Sequence, residues 1–184
     1  MKRLIDICLA TLALLVLSPV LLGASLAVWW DSGRPIFFTQ TRVGLKGDVF
    51  GMFKFRSMKV DAESTGPYFT QANDPRITRV GSFIRRTSVD ELPQLINVLR
   101  GDMSLVGPRP DVPEQRSLYS AEEWQQRCSV RPGITGLAQA QIRSVGSHAD
   151  RLALDLRYTR ENTLWLDLKI LWLTLGRLSG KGSN

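Results

Sequence analysis

The chain is poor in the residues that build metal clusters and disulfide frameworks. It has one histidine, His148, and two cysteines, Cys8 and Cys128, which lie far apart. Cys8 falls inside an apolar segment, so a disulfide scaffold is excluded and a reducing compartment fits better. A zinc site of the usual ligand spacing is excluded by the same scarcity. No internal repeat or low-complexity segment is present, and 184 residues leave no room for a second catalytic domain beside one domain with a useful core.

Charge is missing altogether from residues 7–30, a run of 24 positions dominated by Leu, Ala and Val. That exceeds the ~20 residues a helix needs to cross a bilayer, so the chain meets a membrane. Lys2 and Arg3 ahead of the run, with Ser25-Leu26-Ala27 inside it, imitate a secretory signal, but the run is too long and continues through Val28, Trp29 and Trp30. Basic residues flank both ends, Lys2 and Arg3 before and Arg34, Arg42 and Lys46 after. The positive-inside bias therefore holds both ends in the cytoplasm. Pro19, preceded by Ser18, removes a backbone donor near the middle. A kinked spanning helix and a helix-break-helix hairpin dipping into one leaflet both satisfy these facts.

What the rest of the chain has in excess is positive charge. The formal net charge of +7 attracts lipid headgroups, nucleotides or nucleic acid, and sign alone does not choose among them. Residues 36–38 and 49–55 read as short strands with turns between them. Residues 61–75 are polar and read as a long loop. Residues 77–86 predict a short helix, and Leu92, Leu95, Ile96 and Leu99 mark a helical face closed by Arg100 and stopped by Gly101. Residues 102–113 read as an ordered loop, 121–128 as a helix, 131–136 as a turn-rich stretch and 149–160 as a helix. Residues 164–178 suit either core burial or an amphipathic helix at a membrane surface. The expectation is an α+β protein, mainly α-helical, with a small β element and interfacial amphipathic helices.

Asp90 and Glu91 stand just before the 92–99 helix, where Pro93 is tolerable only in a first turn. Ser88-Val89-Asp90-Glu91 reads as a capping box, and acids in a first turn complement the helix dipole without any catalytic task. Their company points elsewhere. Arg79, Arg85 and Arg86 lie upstream and Arg109 downstream, which suits a phosphate site. Plain ion pairs, or a carboxylate nucleophile beside a carboxylate magnesium ligand, use the same components. Lys54-Phe55-Arg56 puts two bases on one side of a strand, either to reach a diphosphate or to form a solvated face. Gly107-Pro108-Arg109-Pro110 sets one arginine between two rigid rings, as a preorganised phosphate contact or as a turn. His148 reads as a surface or capping residue.

At these positions the chain becomes recognisable. Phe53-Lys54-Phe55-Arg56-Ser57-Met58, Thr78-Arg79-Val80-Gly81, the run Ile84-Arg85-Arg86-Thr87-Ser88-Val89-Asp90-Glu91-Leu92-Pro93-Gln94-Leu95, then Asn97-Val98-Leu99-Arg100-Gly101-Asp102-Met103-Ser104-Leu105-Val106-Gly107-Pro108-Arg109-Pro110, and Arg131-Pro132-Gly133-Ile134-Thr135-Gly136 resemble the bacterial sugar transferase family, the monotopic phosphoglycosyl transferases. The resemblance covers nearly the whole chain, in order. It implies transfer of a phospho-sugar from a UDP-sugar to undecaprenyl phosphate, with UMP leaving and a covalent aspartyl phospho-sugar between the two half-reactions, as the first membrane step of a glycoconjugate. By resemblance Asp90 is the nucleophile, Glu91 the Mg²⁺ ligand, Arg85 a phosphate-holding arginine and Arg109, between Pro108 and Pro110, an arginine near the nucleotide. Lys54 and Arg56 lie in a motif of the substrate site.

The family's N-terminal segment is a re-entrant helix broken at Ser-Pro, matched by Ser18-Pro19, so resemblance favours the hairpin. It implies a re-entrant membrane helix over 1–31, a catalytic domain over 32–184 and a monotopic seat on the cytoplasmic face of the bacterial inner membrane, in contact with membrane lipid. Because the Ser-Pro segment begins the chain, the minimal, short-chain type is implied. After Gly136 the chain reads Leu137-Ala138-Gln139-Ala140-Gln141-Ile142-Arg143, a departure from the family pattern that leaves sugar preference open. Family habit favours an N-acetylated sugar; the pathway and the oligomeric state are not specified. The rival is a membrane-tethered protein that binds anionic lipid or nucleic acid without chemistry. Against it, the bases cluster around carboxylates and few aromatics alternate with Lys and Arg, so no nucleic-acid partner is expected.

Overall fold

The computed structural model describes residues 1–62, 74–142 and 146–178, with side chains to residue 176. Most of the loop expected over 61–75, and Arg143, lie outside the described residues. Two helices open the chain, α1 (Lys2–Val16) and α2 (Ser18–Ser32), bent by 62° at the break. The break follows from two adjacent residues. Pro19 has no N–H to offer Leu15 O, and the Ser18 hydroxyl donates to that carbonyl instead at 2.8 Å. Among the described residues no single helix is long and apolar enough to cross a membrane, and this bent pair passes only as a pair.

The strands expected near 36–38 and 49–55 form an antiparallel hairpin of β1 (Phe37–Val43) and β2 (Val49–Phe55), in register from Phe37 opposite Phe55 to Val43 opposite Val49. The helix α3 (Arg79–Arg86) starts at Thr78, whose hydroxyl accepts from Gly81 N at 2.9 Å, while Asp31 at the end of α2 accepts from Val80 N at 3.1 Å. Gly81 is obligatory, because a Cβ there would stand 2.0 Å from Ser57 O. That close approach seats α3 against the segment following β2.

The helix expected from Leu92 begins two residues later, as α4 (Gln94–Arg100), and Gly101 ends it at φ 97°. Fully buried Asn97 ties it to β2, accepting from Phe53 N at 2.9 Å and donating to Gly51 O at 2.8 Å. Two expectations need correction. Within residues 102–113 lies β3 (Ser104–Val106), and within 131–136 lies β4 (Gly133–Thr135), paired in parallel. Three-residue strands are too short for alternation to register, and their pairing joins residues far apart in sequence. Gly107 permits the approach, since a Cβ there would meet Arg131 O at 2.3 Å. The helices α5 (Ala121–Arg127), α6 (Leu137–Gln141), α7 (His148–Glu161) and α8 (Leu164–Leu178) complete the chain. Mainly helical with small sheets, the protein is α+β.

Among the described residues three hydrophobic clusters join most of these elements, and the first two helices enter two of them. Ala10 of α1 packs with Met52, Leu95, Val98 and Met103, and Ala24 and Val28 of α2 pack with Phe55 and Ile84. The third joins Val106, Leu137, Ala140, Tyr158 and Ile170. Full burial of an aliphatic side chain such as Ile84 contributes roughly 1.5–3 kcal/mol. The outward residues of α1 and α2, including Leu12, Leu15, Val16, Leu22 and Trp30, are exposed and apolar. The two readings of 164–178 both find support in α8: Ile170 is buried in the core, while Trp165 and Trp172 are 78% and 77% exposed.

Candidate active site

Polar residues anchor both ends of the bent pair to the rest of the protein. Asp6 accepts from Ser104 Oγ at 2.9 Å and Leu105 N at 3.1 Å, and Lys2 donates to Asp167 at 2.5 Å. At the other end Arg56 donates to Ser32 O at 2.6 Å and Gly33 O at 2.7 Å, answering carbonyls that the last turn of α2 leaves open. The lysine–phenylalanine–arginine alternation does bring Lys54 and Arg56 to one cavity, yet the ammonium and the guanidinium have different partners. Lys54 reaches Glu91, and Arg56 reaches the C-terminus of α2.

That cavity, of about 940 Å³, opens beside Asp90 and Glu91 and is also lined by Arg42, Arg85 and Arg109. The expected capping box is absent. Ser88 sits in the left-handed region at φ 58° and caps nothing with its side chain, and residues 89–91 form a single 3₁₀ turn ahead of α4. A non-glycine residue held there stores about 1–2 kcal/mol, and the result is that the acids face the cavity rather than the helix end.

The two carboxyls differ in their surroundings. Glu91 Oε1 receives both Arg109 Nη2 at 2.6 Å and Lys54 Nζ at 3.2 Å, while its Oε2 has no hydrogen-bond partner among the described residues. Burial works against its ionisation, but Arg109 and Lys54 outweigh it and hold the carboxyl at about 2. Asp90, 7% exposed, accepts no hydrogen bond among the described residues. Burial first and then the Glu91 charge push it up to about 6, against Lys54, Arg85 and Arg109. Arg85 is steadied by donating from Nε to Ser57 Oγ at 2.8 Å.

Among the described residues no group of three His, Cys, Asp or Glu side chains is placed to hold a metal. Adjacent carboxylates with an unengaged Glu91 oxygen do fit magnesium, which binds through one or two carboxylates and completes its shell with substrate phosphates and water. In sequence Arg42 is only a charge flanking the apolar run. In the fold it lines the cavity and donates to Pro110 O at 2.9 Å, a contact between residues too distant for any local signal. Ser57, in the Phe53–Met58 motif, is the Arg85 partner. His148 is exposed at the first position of α7, as expected.

A sequence model of the family described as Bacterial sugar transferase matches residues 1–181. The "Undecaprenyl-phosphate glucose phosphotransferase" of Komagataeibacter xylinus is 46% identical over 96% of this chain and 35% of its own length. The "UDP-glucose:undecaprenyl-phosphate glucose-1-phosphate transferase" of Escherichia coli is 46% identical over 95% of this chain and 39% of its own length. This chain thus spans less than half the length of those two relatives. The "Exopolysaccharide production protein PSS" of Rhizobium leguminosarum is 43% identical over 95% of this chain and 93% of its own length.

Proposed function

The chain belongs to the bacterial sugar transferase family, and on that premise we propose that it transfers a phospho-sugar from a UDP-sugar to undecaprenyl phosphate, giving undecaprenyl-diphosphate-sugar and UMP. The observation that carries this reading is Asp90: a buried carboxyl without a hydrogen bond among the described residues, lining a cavity beside Lys54, Arg85 and Arg109. A carboxylate spared from structural bonding keeps its lone pairs for attack.

In the proposed first half-reaction a carboxylate oxygen of Asp90 attacks the β-phosphorus of the donor. The bond from that phosphorus to the bridging oxygen breaks, UMP leaves with the electron pair, and the phospho-sugar stays on Asp90. In the second, an oxygen of undecaprenyl phosphate attacks the same phosphorus and frees the Asp90 carboxylate. Lys54, Arg85 and Arg109 offset the charge that gathers on the phosphoryl oxygens. Glu91 would hold magnesium, which when bound would supply Lewis-acid neutralisation of the diphosphate. The bent α1–α2 pair serves as a re-entrant hairpin, since Lys2, Asp6 and Ser32 near its two ends all attach to the same body. In this reading residues 32–184 sit on the cytoplasmic face of the inner membrane, the side favoured by Lys2, Arg3, Arg34 and Arg42 at the two ends of the hairpin, where a soluble nucleotide and a lipid phosphate meet.

Two of the relatives above carry glucose in their names. UDP-glucose therefore comes first among the donors to try, ahead of the N-acetylated sugars. The test is incubation of purified protein with donor and Mg²⁺ but no lipid. UMP release limited to about one per enzyme, with the phospho-sugar mass on the peptide containing Asp90, is the expected result. Label on another residue overturns the nucleophile assignment, and no UMP from any UDP-sugar, with or without lipid, overturns the function.

A further inference from the structure

Two prolines stiffen the loop around Arg109, but ring constraints say nothing about where the loop sits relative to Glu91, which belongs to a different element. That placement comes from the backbone carbonyls. Arg127, the last residue of α5, donates from Nη2 to Arg109 O at 2.6 Å. Arg42 takes Pro110 O, and Val43 N donates to Asp111 O at 2.9 Å. Of these contacts Arg127 alone addresses the carbonyl of Arg109 itself.

Arg127 is itself buried and over-determined. Its Nη1 meets Asp111 Oδ2, its Nε donates to Asp155 Oδ2 at 3.1 Å, and its guanidinium lies 5.5 Å from the centre of the Tyr119 ring. Asp111 and Asp155 are buried as well, which offsets the charge brought into the interior. Such a cluster is a costly way merely to fill space, since apolar residues of similar volume serve equally well for stability. What apolar residues lack is a fork that spans α7, Asp111 and the Arg109 carbonyl at once.

We propose that Arg127 is a positioning residue for the donor diphosphate: it holds the Arg109 backbone so that the Arg109 guanidinium reaches Glu91 and the cavity, and it acts only through Arg109. This rests on the function proposed above, in which Arg109 meets the donor.

A double-mutant cycle tests it on the full chain in detergent or nanodiscs, with two readouts. One is the affinity for UDP with Mg²⁺ by calorimetry; the other is kcat/KM for UMP release from UDP-glucose with undecaprenyl phosphate. Arg127→Met and Arg109→Ala are each expected to weaken both about tenfold or more, and the double variant to match Arg109→Ala alone within about threefold. KM for undecaprenyl phosphate is expected to stay near the wild-type value. A double variant whose losses multiply shows Arg127 acting independently of Arg109 and overturns the proposal, as does an Arg127→Met protein with wild-type UDP affinity. If Arg127→Met does not fold, Arg127→Lys keeps the buried charge without the fork and carries the same cycle; full activity there overturns the proposal. A wild-type protein that binds UDP yet releases no UMP sinks the proposed function, while the UDP cycle still decides the role of Arg127.

Discussion

Asp6 in the first helix of the bent pair and Asp90 at the cavity are almost equally buried, at 5% and 7% exposure. Asp6 has both oxygens engaged, by Ser104 Oγ and Leu105 N, and serves to dock α1 on β3. Asp90 has no such partner among the described residues and is held instead in a field of cations and one neighbouring acid. The contrast teaches that burial by itself does not mark a working carboxylate. A buried carboxylate with its hydrogen bonds made builds the fold, whereas one left without them stores free energy that chemistry can use.

The largest effects come from the cavity side of that contrast. Asp90→Asn keeps shape and loses charge, so UMP release is expected to fall on the order of ten-thousandfold, as for removal of a covalent nucleophile, in a protein that still folds. Glu91→Gln follows, with a loss of about a hundredfold and a weakened response to Mg²⁺ titration, since one member of an electrostatic site is typically of that magnitude. Wild-type rates in either variant break the comparison at its catalytic end.

Stability is expected to run the other way. Asp6→Ala removes a charged acceptor of two hydrogen bonds and is expected to destabilise by about 3 kcal/mol, lowering the thermal midpoint by roughly 10 °C. Its loss of UMP release per folded molecule is expected to be far smaller than for Glu91→Gln. Asp90→Asn, by contrast, is expected to stabilise. The folded carboxyl titrates at about 6 against an ordinary 3.8, so its own contribution to stability falls as pH rises from about 4 to about 6 and is flat above. A side chain that cannot ionise escapes that loss, which gives a gain of roughly 2–3 kcal/mol at pH 7 that shrinks toward pH 4. Denaturant unfolding of both proteins at pH 4.5 and 7.5 measures it; an equal difference at the two pH values contradicts the account of Asp90.

The smallest effect belongs to the helix break. Pro19→Ala restores a backbone donor to Leu15 O, and a minority of molecules is expected to straighten toward a spanning arrangement. Cysteines placed singly near residues 1 and 31 report it by labelling in intact cells. No periplasmic labelling is expected in wild type, and labelling at either end there contradicts the hairpin.

Much of the site was legible because its residues lie close in sequence. Asp90, Glu91 and Arg85 fall within seven positions, and the Pro-Arg-Pro stretch follows soon after. Local chemistry misled where a tertiary alternative existed: Ser88-Val89-Asp90-Glu91 satisfies the capping-box pattern, but α4 starts only at Gln94, and the turn at Ser88 takes the acids away from its end. Arg127 was illegible, since in sequence it is an ordinary basic residue in the last turn of a helix. So was Arg42, whose partner Pro110 lies 68 positions further along the chain.

The sequence by itself determined the uncharged run and its interruption at Pro19, the ends of most helices, and the gathering of arginines around two acids. Those properties depend on hydrophobic periodicity and backbone constraints that act within a few residues. Only the tertiary structure decided which buried acid has its hydrogen bonds made and which does not, that two loop-like stretches pair as β3 and β4, and that Arg127 holds the carbonyl of Arg109. The solvation and bonding of a buried charge depend on whatever the fold brings against it, and for Asp6 those groups come from residues as far as 99 positions away, at Leu105.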